Sequence, residues 1–232
     1  MSHLFQRSSV HTLSLILALC LVAAPALAQK KGNRANDARR HTTDAATVFN
    51  EIMSSSDSSI PKALVDKAQA IAVFPGVVKA AVIVGGREGR GVISRRTAGG
   101  WSAPAFFNLA GGSFGAQIGA NKTDYVLLIM NEKGLDKLLA DKLELGGEVG
   151  VAAGPVGREA SAATDAQLNA EILTYSRSKG AFIGAALKGT SISPDNDLNE
   201  AFYGLKAREV LSGGVNSTPN AVLIYPQTLA RY

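Results

Sequence analysis

Residues 82–96 read VIVGGREGRGVISRR, a β-branched run that meets a glycine cluster carrying two arginines. One reading is a phosphate-cradling loop; the other is the turn between two strands. A dinucleotide fingerprint is G-x-G-x-x-G opening a helix whose N-terminal amides face the pyrophosphate. Gly86, Gly89 and Gly91 spell the reverse, G-x-x-G-x-G, and the GVISRR that follows is short and β-branched, with no helix to come. No G-K-[ST] supplies a P-loop. The stretch therefore reads as a hairpin turn whose glycines serve backbone geometry, and a bound nucleotide is not expected.

Working outward, the middle of the chain is a series of short strand-like runs bounded by glycine, asparagine or proline: KAAVIVGG, GRGVISRR, WSAPAFFNL, SFGAQIGAN and DYVLLIMN. EKGLDKLLADK interrupts with a short helical pattern, and LELGGEVGVAAG, AEILTYSRS and AFIGAALKGTSI return to strand. Ahead of them, apolar Val48, Phe49, Ile52 and Met53 fall on one helical face from Ala45 onward. Pro61 suits a first helical turn, with Leu64, Val65, Ala68 and Ile71 as that helix's buried face and Pro75-Gly76 as its end. SPDNDLNEAFYG and KAREVLSGG close the chain as helices. Strands joined mainly by turns predict an α+β single domain: an antiparallel, barrel-like or sandwich-like sheet with flanking helices.

The start of the chain carries an address. MSHLFQRSSVH has one arginine and no acid, LSLILALCLVAA is continuously apolar, and PALA offers small residues at Ala26 and Ala28. These are the three regions of a secretory signal peptide, with cleavage expected after Ala28 and the product periplasmic or otherwise envelope-associated. The sequence divides into a leader (1–28), a basic arm (29–47) and a folded body (48–232). The one cysteine, Cys20, lies in the leader, so the mature chain has no thiol for a disulfide or a metal. The formal charge of +5 concentrates in the arm, where Lys30, Lys31, Arg34, Arg39 and Arg40 face only Asp37 and Asp44. A nearly neutral body gives no footprint for nucleic acid, whereas a basic arm suits anionic lipid headgroups.

Catalytic chemistry is poorly provided for. Of the three histidines, His3 and His11 go with the leader and His41 lies in the arm. Ser–His and Cys–His pairs therefore cannot be built, and no spacing singles out a Ser–Lys pair. Asp195, Asp197 and Asn199 open like a calcium loop, but Glu200 stands where glycine is needed and Lys206 where glutamate is needed. A helix start explains them better, and no metal or cofactor is expected. YSRSKGAF at 175–182 sets Tyr175, Arg177 and Lys179 on one face of a strand, a small cationic, aromatic-edged site for phosphate or carboxylate. Lys79 is a further body cation of this kind. Trp101 suits core or turn packing.

The segments IPKAL, AIAVFPGVVKA, IVGGREGRGV, WSAPAFFNL, GSFGAQIGANKTDYVLLIMN, AAGPVGREA, YSRSKGAF and AFYG, in this order from Ile60 to Leu211, resemble the SYLF family, the lipid-binding or Las17-binding actin-regulator type. The resemblance implies a non-enzymatic lipid-binding module acting peripherally at a membrane. Eukaryotic relatives bind phosphoinositides and fungal ones bind actin, whereas bacterial ones are exported. A leader and no appended SH3 segment speak against actin as a partner here, and anionic phospholipid is the conservative transfer. The alternatives are an envelope protein-interaction factor with incidental lipid affinity and a carrier with an internal acyl pocket.

Overall fold

The computed structural model describes residues 33–232 except 56–58, 82–83, 115–118, 141, 148, 158–168, 179–180 and 186. A helix over 33–53 (α1) is followed by α2 (Lys62–Lys67), and then by β1 (Ala70–Ala81), β2 (Val84–Thr97), β3 (Gly100–Trp101), β4 (Ala105–Phe114) and β5 (Gly119–Ile129). Next come α3 (Glu132–Leu138), β6 (Leu143–Leu145), β7 (Val151–Ala153), β8 (Ile172–Ser178), β9 (Ala181–Gly184) and β10 (Thr190–Pro194). Three helical pieces finish the described chain: α4 (Asn196–Tyr203), α5 (Ala207–Glu209, continuing as a π-turn over Val210–Gly214) and α6 (Ile224–Leu229).

The strands form one sheet in the order β6-β10-β4-β2-β1-β5-β8-β7, with β3 on β2 and β9 on β8. Every pairing is antiparallel except β7 with β8. Its two end strands are sequence neighbours, and a bridge between Leu145 and Val149 brings them together, so the sheet nearly closes on itself. The α+β, barrel-like expectation is met.

Continuous apolar runs occur because both faces of the sheet are buried. Along β1, Ile71 and Val73 enter one core while Ala70, Ala72 and Phe74 enter the other. Along β5, Val126 and Leu128 alternate with Leu127 and Ile129 in the same way. The second core gathers Leu143 and Leu145 of β6, Ile192 of β10, Phe107 of β4 and Ile172 of β8. A cluster fed from both ends of the strand order lies inside the curl of the sheet, and α3 and α5 close on it through Leu135, Leu138, Val210 and Leu211. The first core lies on the outer face, under α1 and α6.

Three sequence expectations change. Ile71 is not on a helix, because α2 ends at Lys67 and the chain turns into β1. Pro75-Gly76 does not end an element either. β1 runs through it with one extra residue, since five steps from Val73 to Val78 match four from Val92 to Glu88 on β2. The glycine stretch 85–91 is consequently no turn; it is the first half of the 14-residue strand β2. Its glycines accommodate the bulge opposite. A Cβ at Gly91 would lie 2.3 Å from Val73 O, and one at Gly89 would lie 2.5 Å from Val77 Cγ2.

The helical reading begins too late in the sequence. α1 is already formed at 33, and Ala38, Thr42 and Ala45 are fully buried along it, ahead of Val48, Phe49 and Ile52. Residues 33–47 are thus packed helix, not a free tail. The 195–200 stretch is the helix start expected of it. Asp195 Oδ1 accepts from Leu198 N–H at 3.0 Å, and Asn199, fully buried, bonds both the N–H and the C=O of Phe106 at 2.9 Å.

Candidate functional site

The strands β1, β2, β4 and β5 are the longest, and they lie side by side in the order β4-β2-β1-β5, carrying one end of the barrel. On their outer face Val78 pairs with Lys122 on β5 and with Glu88 on β2, and Glu88 pairs with Ala110 on β4. Val78 is 41 % exposed, an apolar side chain with no cover. A shallow groove of about 470 Å³ runs over Val78, Glu88, Asn108 and Ala110. On the inner face Lys79 pairs with Arg87 on one side and with Asn121 on the other.

Beside the groove, α1 meets the β1 bulge in a cleft of about 380 Å³ lined by Arg40, His41, Asp44, Glu88 and Arg90. His41 Nε2 is buried there without a hydrogen-bond partner. Burial holds the His41 imidazole below its ordinary pKa; Arg40 and then Arg90 push it the same way, against Asp37 and Asp44. The ring is therefore neutral near pH 7. The bulge is pinned from behind. Gly76 N–H donates to Asp124 Oδ1 at 2.8 Å, while Asp124 Oδ2 accepts from Arg177 Nε at 3.0 Å and Nη2 at 2.9 Å. Arg177 Nη1 also bonds Glu51 of α1, so one guanidinium ties the helix, β5 and the bulge together.

The expected site residues therefore part company. Lys30, Lys31 and Lys179 lie outside the described residues. Arg39 and Arg40 are exposed on α1, bonded to Asn36 and Asp37 within their own helix, and Arg34 is half-buried. Tyr175 and Arg177 do share a face, as the alternation predicts, but it is the face under α1. Tyr175 is fully buried and stacked on Phe182 at 5.4 Å, and the charge of Arg177 is met by two carboxylates. Burial also raises the Tyr175 hydroxyl pKa. The helix face of Val48, Phe49 and Ile52 is likewise in the core and is not available to a bilayer. Trp101 packs in the β2–β3 turn, with the Arg96 guanidinium 4.3 Å above its ring.

Of the expected body cations that are described, Lys79 makes no ion pair. Beside it stand Arg87 and Arg90, which the sequence offers only as turn cations, and Lys122, which it does not single out. Among the described residues, Lys79, Arg87, Arg90 and Lys122 crowd this end with Glu88 as the carboxylate in their rungs. None of the four makes an ion pair with another described residue. Treating 85–91 as a turn hid the grouping, since only a paired strand brings Arg87 beside Lys79.

A family model described as Ysc84, Las17-binding protein actin regulator, matches residues 110–232, twenty-one residues further than the resemblance drawn to Leu211. Protein YSC84 of Saccharomyces cerevisiae is 36% identical over 171 residues, covering 71% of this chain and 36% of the yeast protein. LAS seventeen-binding protein 3 of the same yeast is 36% identical over 170 residues, 70% of this chain and 37% of that protein. SH3 domain-containing YSC84-like protein 1 of Xenopus laevis is 34% identical over 174 residues, 73% of this chain and 52% of the frog protein. The chain thus spans about a third to a half of these relatives. Their names describe binding and regulatory proteins and point to protein partners, so the expectation that set actin aside loses its support. The chain belongs to the Ysc84, or SYLF, family of Las17-binding actin-regulator domains.

Proposed function

We propose that this chain is a non-enzymatic module that binds anionic phospholipid at a membrane surface, through the end of the barrel where β1, β2, β4 and β5 bring Val78, Glu88, Ala110 and Lys122 together. The observation that carries the reading is the group Lys79, Arg87, Arg90 and Lys122 at one barrel end, with no ion pair among the described residues to neutralise it. Arg90 and Lys122 are on the outer face with the exposed Val78, and Lys79 and Arg87 are on the inner face. Each such cation contributes about 1 kcal/mol near an anionic surface, and an apolar residue among them suits the headgroup boundary. Arg34, Arg39 and Arg40 add attraction from the flank as part of α1 rather than of a tail, and Lys30 and Lys31 add charge just ahead of it in the sequence. The leader-like pattern of residues 1–28 supports an exported, envelope-associated site of action within this reading.

Vesicle co-sedimentation tests this. Phosphatidylglycerol vesicles should retain the chain at low salt and release it near 1 M salt, where the screening length falls to about 3 Å. Phosphatidylcholine vesicles should not retain it. Equal retention by both lipids at both salts removes the electrostatic account. The names of the relatives favour a second reading, a protein partner of the kind they record, with actin among the candidates. Co-sedimentation with actin filaments in the same buffers decides between the two.

A further inference from the structure

The inner face of the same barrel end carries its own row of polar side chains, distinct from the outer cations. One lateral rung of the sheet runs Asn121 (β5), Lys79 (β1), Arg87 (β2), Gly111 (β4), Thr190 (β10) and Leu145 (β6), each paired with the next. Alternation from the buried Val77, Leu109 and Ile192 sets Lys79, Gly111 and Thr190 on the inner face, and from Ile93 it sets Arg87 there too. The row beneath, Val77, Leu109, Ile192 and Leu143, is an apolar floor.

Three features of the rung want an anion. Lys79 and Arg87 are like charges directly opposite on neighbouring strands, an arrangement that costs stability unless something lies between them. Arg87 Nε is buried and makes no hydrogen bond, and Thr190 Oγ1, on a fully buried residue, makes none either. Between these two unpartnered groups stands Gly111, where a Cβ would press to 3.1 Å on Thr190 Oγ1. A glycine there keeps the space between Arg87 and Thr190 open. No carboxylate belongs to the rung.

The geometry points to an oxyanion site of the phosphate class, with Arg87 and Lys79 as charged donors and the Thr190 hydroxyl as a neutral donor. The anion is either a phospholipid headgroup phosphate or free phosphate. The headgroup source rests on the membrane reading above, and the test separates the two.

The purified chain is melted in inorganic phosphate and in chloride at equal ionic strength, then titrated with inorganic phosphate. Phosphate should raise the melting temperature of the wild type, and R87Q and K79Q should each abolish that rise. Without phosphate both variants should melt no lower than wild type, because a like-charge contact is gone. R87Q should weaken phosphate binding about tenfold or more, the size of one lost charge-assisted hydrogen bond, and T190V less. K62Q, a surface change on α2, is the comparison variant. No phosphate shift in wild type, or the same shift in R87Q and K79Q, overturns the site. If R87Q fails to fold, K79Q carries the same decision. Phosphate binding that R87Q abolishes, without retention on phosphatidylglycerol vesicles, upholds the site for free phosphate and rejects the membrane reading. Vesicle retention unaffected by R87Q and by added phosphate rejects the headgroup as the anion's source and leaves membrane binding to the outer cations.

Discussion

Gly91 has no room for a methyl group. A Cβ there would sit 2.3 Å from the carbonyl oxygen of Val73 and 2.5 Å from Phe74 Cδ1, where backbone cannot yield. G91A should therefore lower stability by about 2–3 kcal/mol, read as a shift in denaturant midpoint, whereas an effect below about 0.5 kcal/mol would mean that the strands do not approach so closely. Tyr175 makes the opposite case. Its ring fills the space over Gly154, but its buried hydroxyl has no partner. Y175F should match or exceed wild-type stability by up to about 1 kcal/mol, and a loss of more than that would reveal a hydrogen bond at the hydroxyl. Neither role was legible from the residues alone. The glycines of 85–91 look like turn glycines until β1 is known to bulge at Pro75-Gly76, because the atoms that crowd them belong to the facing strand.

At the scale of elements, α1 packs through its apolar face and carries two polar groups of consequence, Glu51 on the Arg177 guanidinium and the neutral His41 imidazole. Arg177 joins Glu51 of α1 to Asp124 of β5, and it is partly buried. R177Q should cost about 1–2 kcal/mol, because Asp124 loses its charged partner while solvent still reaches the pair. An R177Q chain as stable as wild type would contradict the tie. His41 carries the pH dependence. Its folded pKa lies below the unfolded value of 6.5, so the unfolded state takes up the proton first. Its contribution to stability is full above that value and is lost as pH falls through the folded pKa. H41Q should flatten the stability profile on that acid side, and an unchanged profile would show that the ring is not constrained. The face of Val48, Phe49 and Ile52 was readable from its period. The preceding turns were not, because Ala38, Thr42 and Ala45 bury small or polar side chains that an apolar template passes over.

Across the whole molecule, the run VLLI and the glycine-bounded spacing declare strands of an antiparallel sheet, whereas AIAVF reads into the preceding helix because a short apolar run buried on both faces fits either period. Closure into a barrel rather than a sandwich could not be read this way. It depends on Leu145 meeting Val149 after a short turn, and on β10 returning from late in the chain to sit between β6 and β4. The cationic end has the same origin, since Lys79, Arg87, Arg90 and Lys122 are gathered only by the register of three strands. That end is the central claim, and vesicle retention tests it most directly. A chain carrying K79Q, R87Q, R90Q and K122Q is compared with one carrying R34Q, R39Q and R40Q, on phosphatidylglycerol vesicles at low salt. The account predicts that the first loses retention on the order of a hundredfold or more, at about 1 kcal/mol per cation, and that the second loses less. Full retention by the first variant, with loss confined to the second, would contradict it.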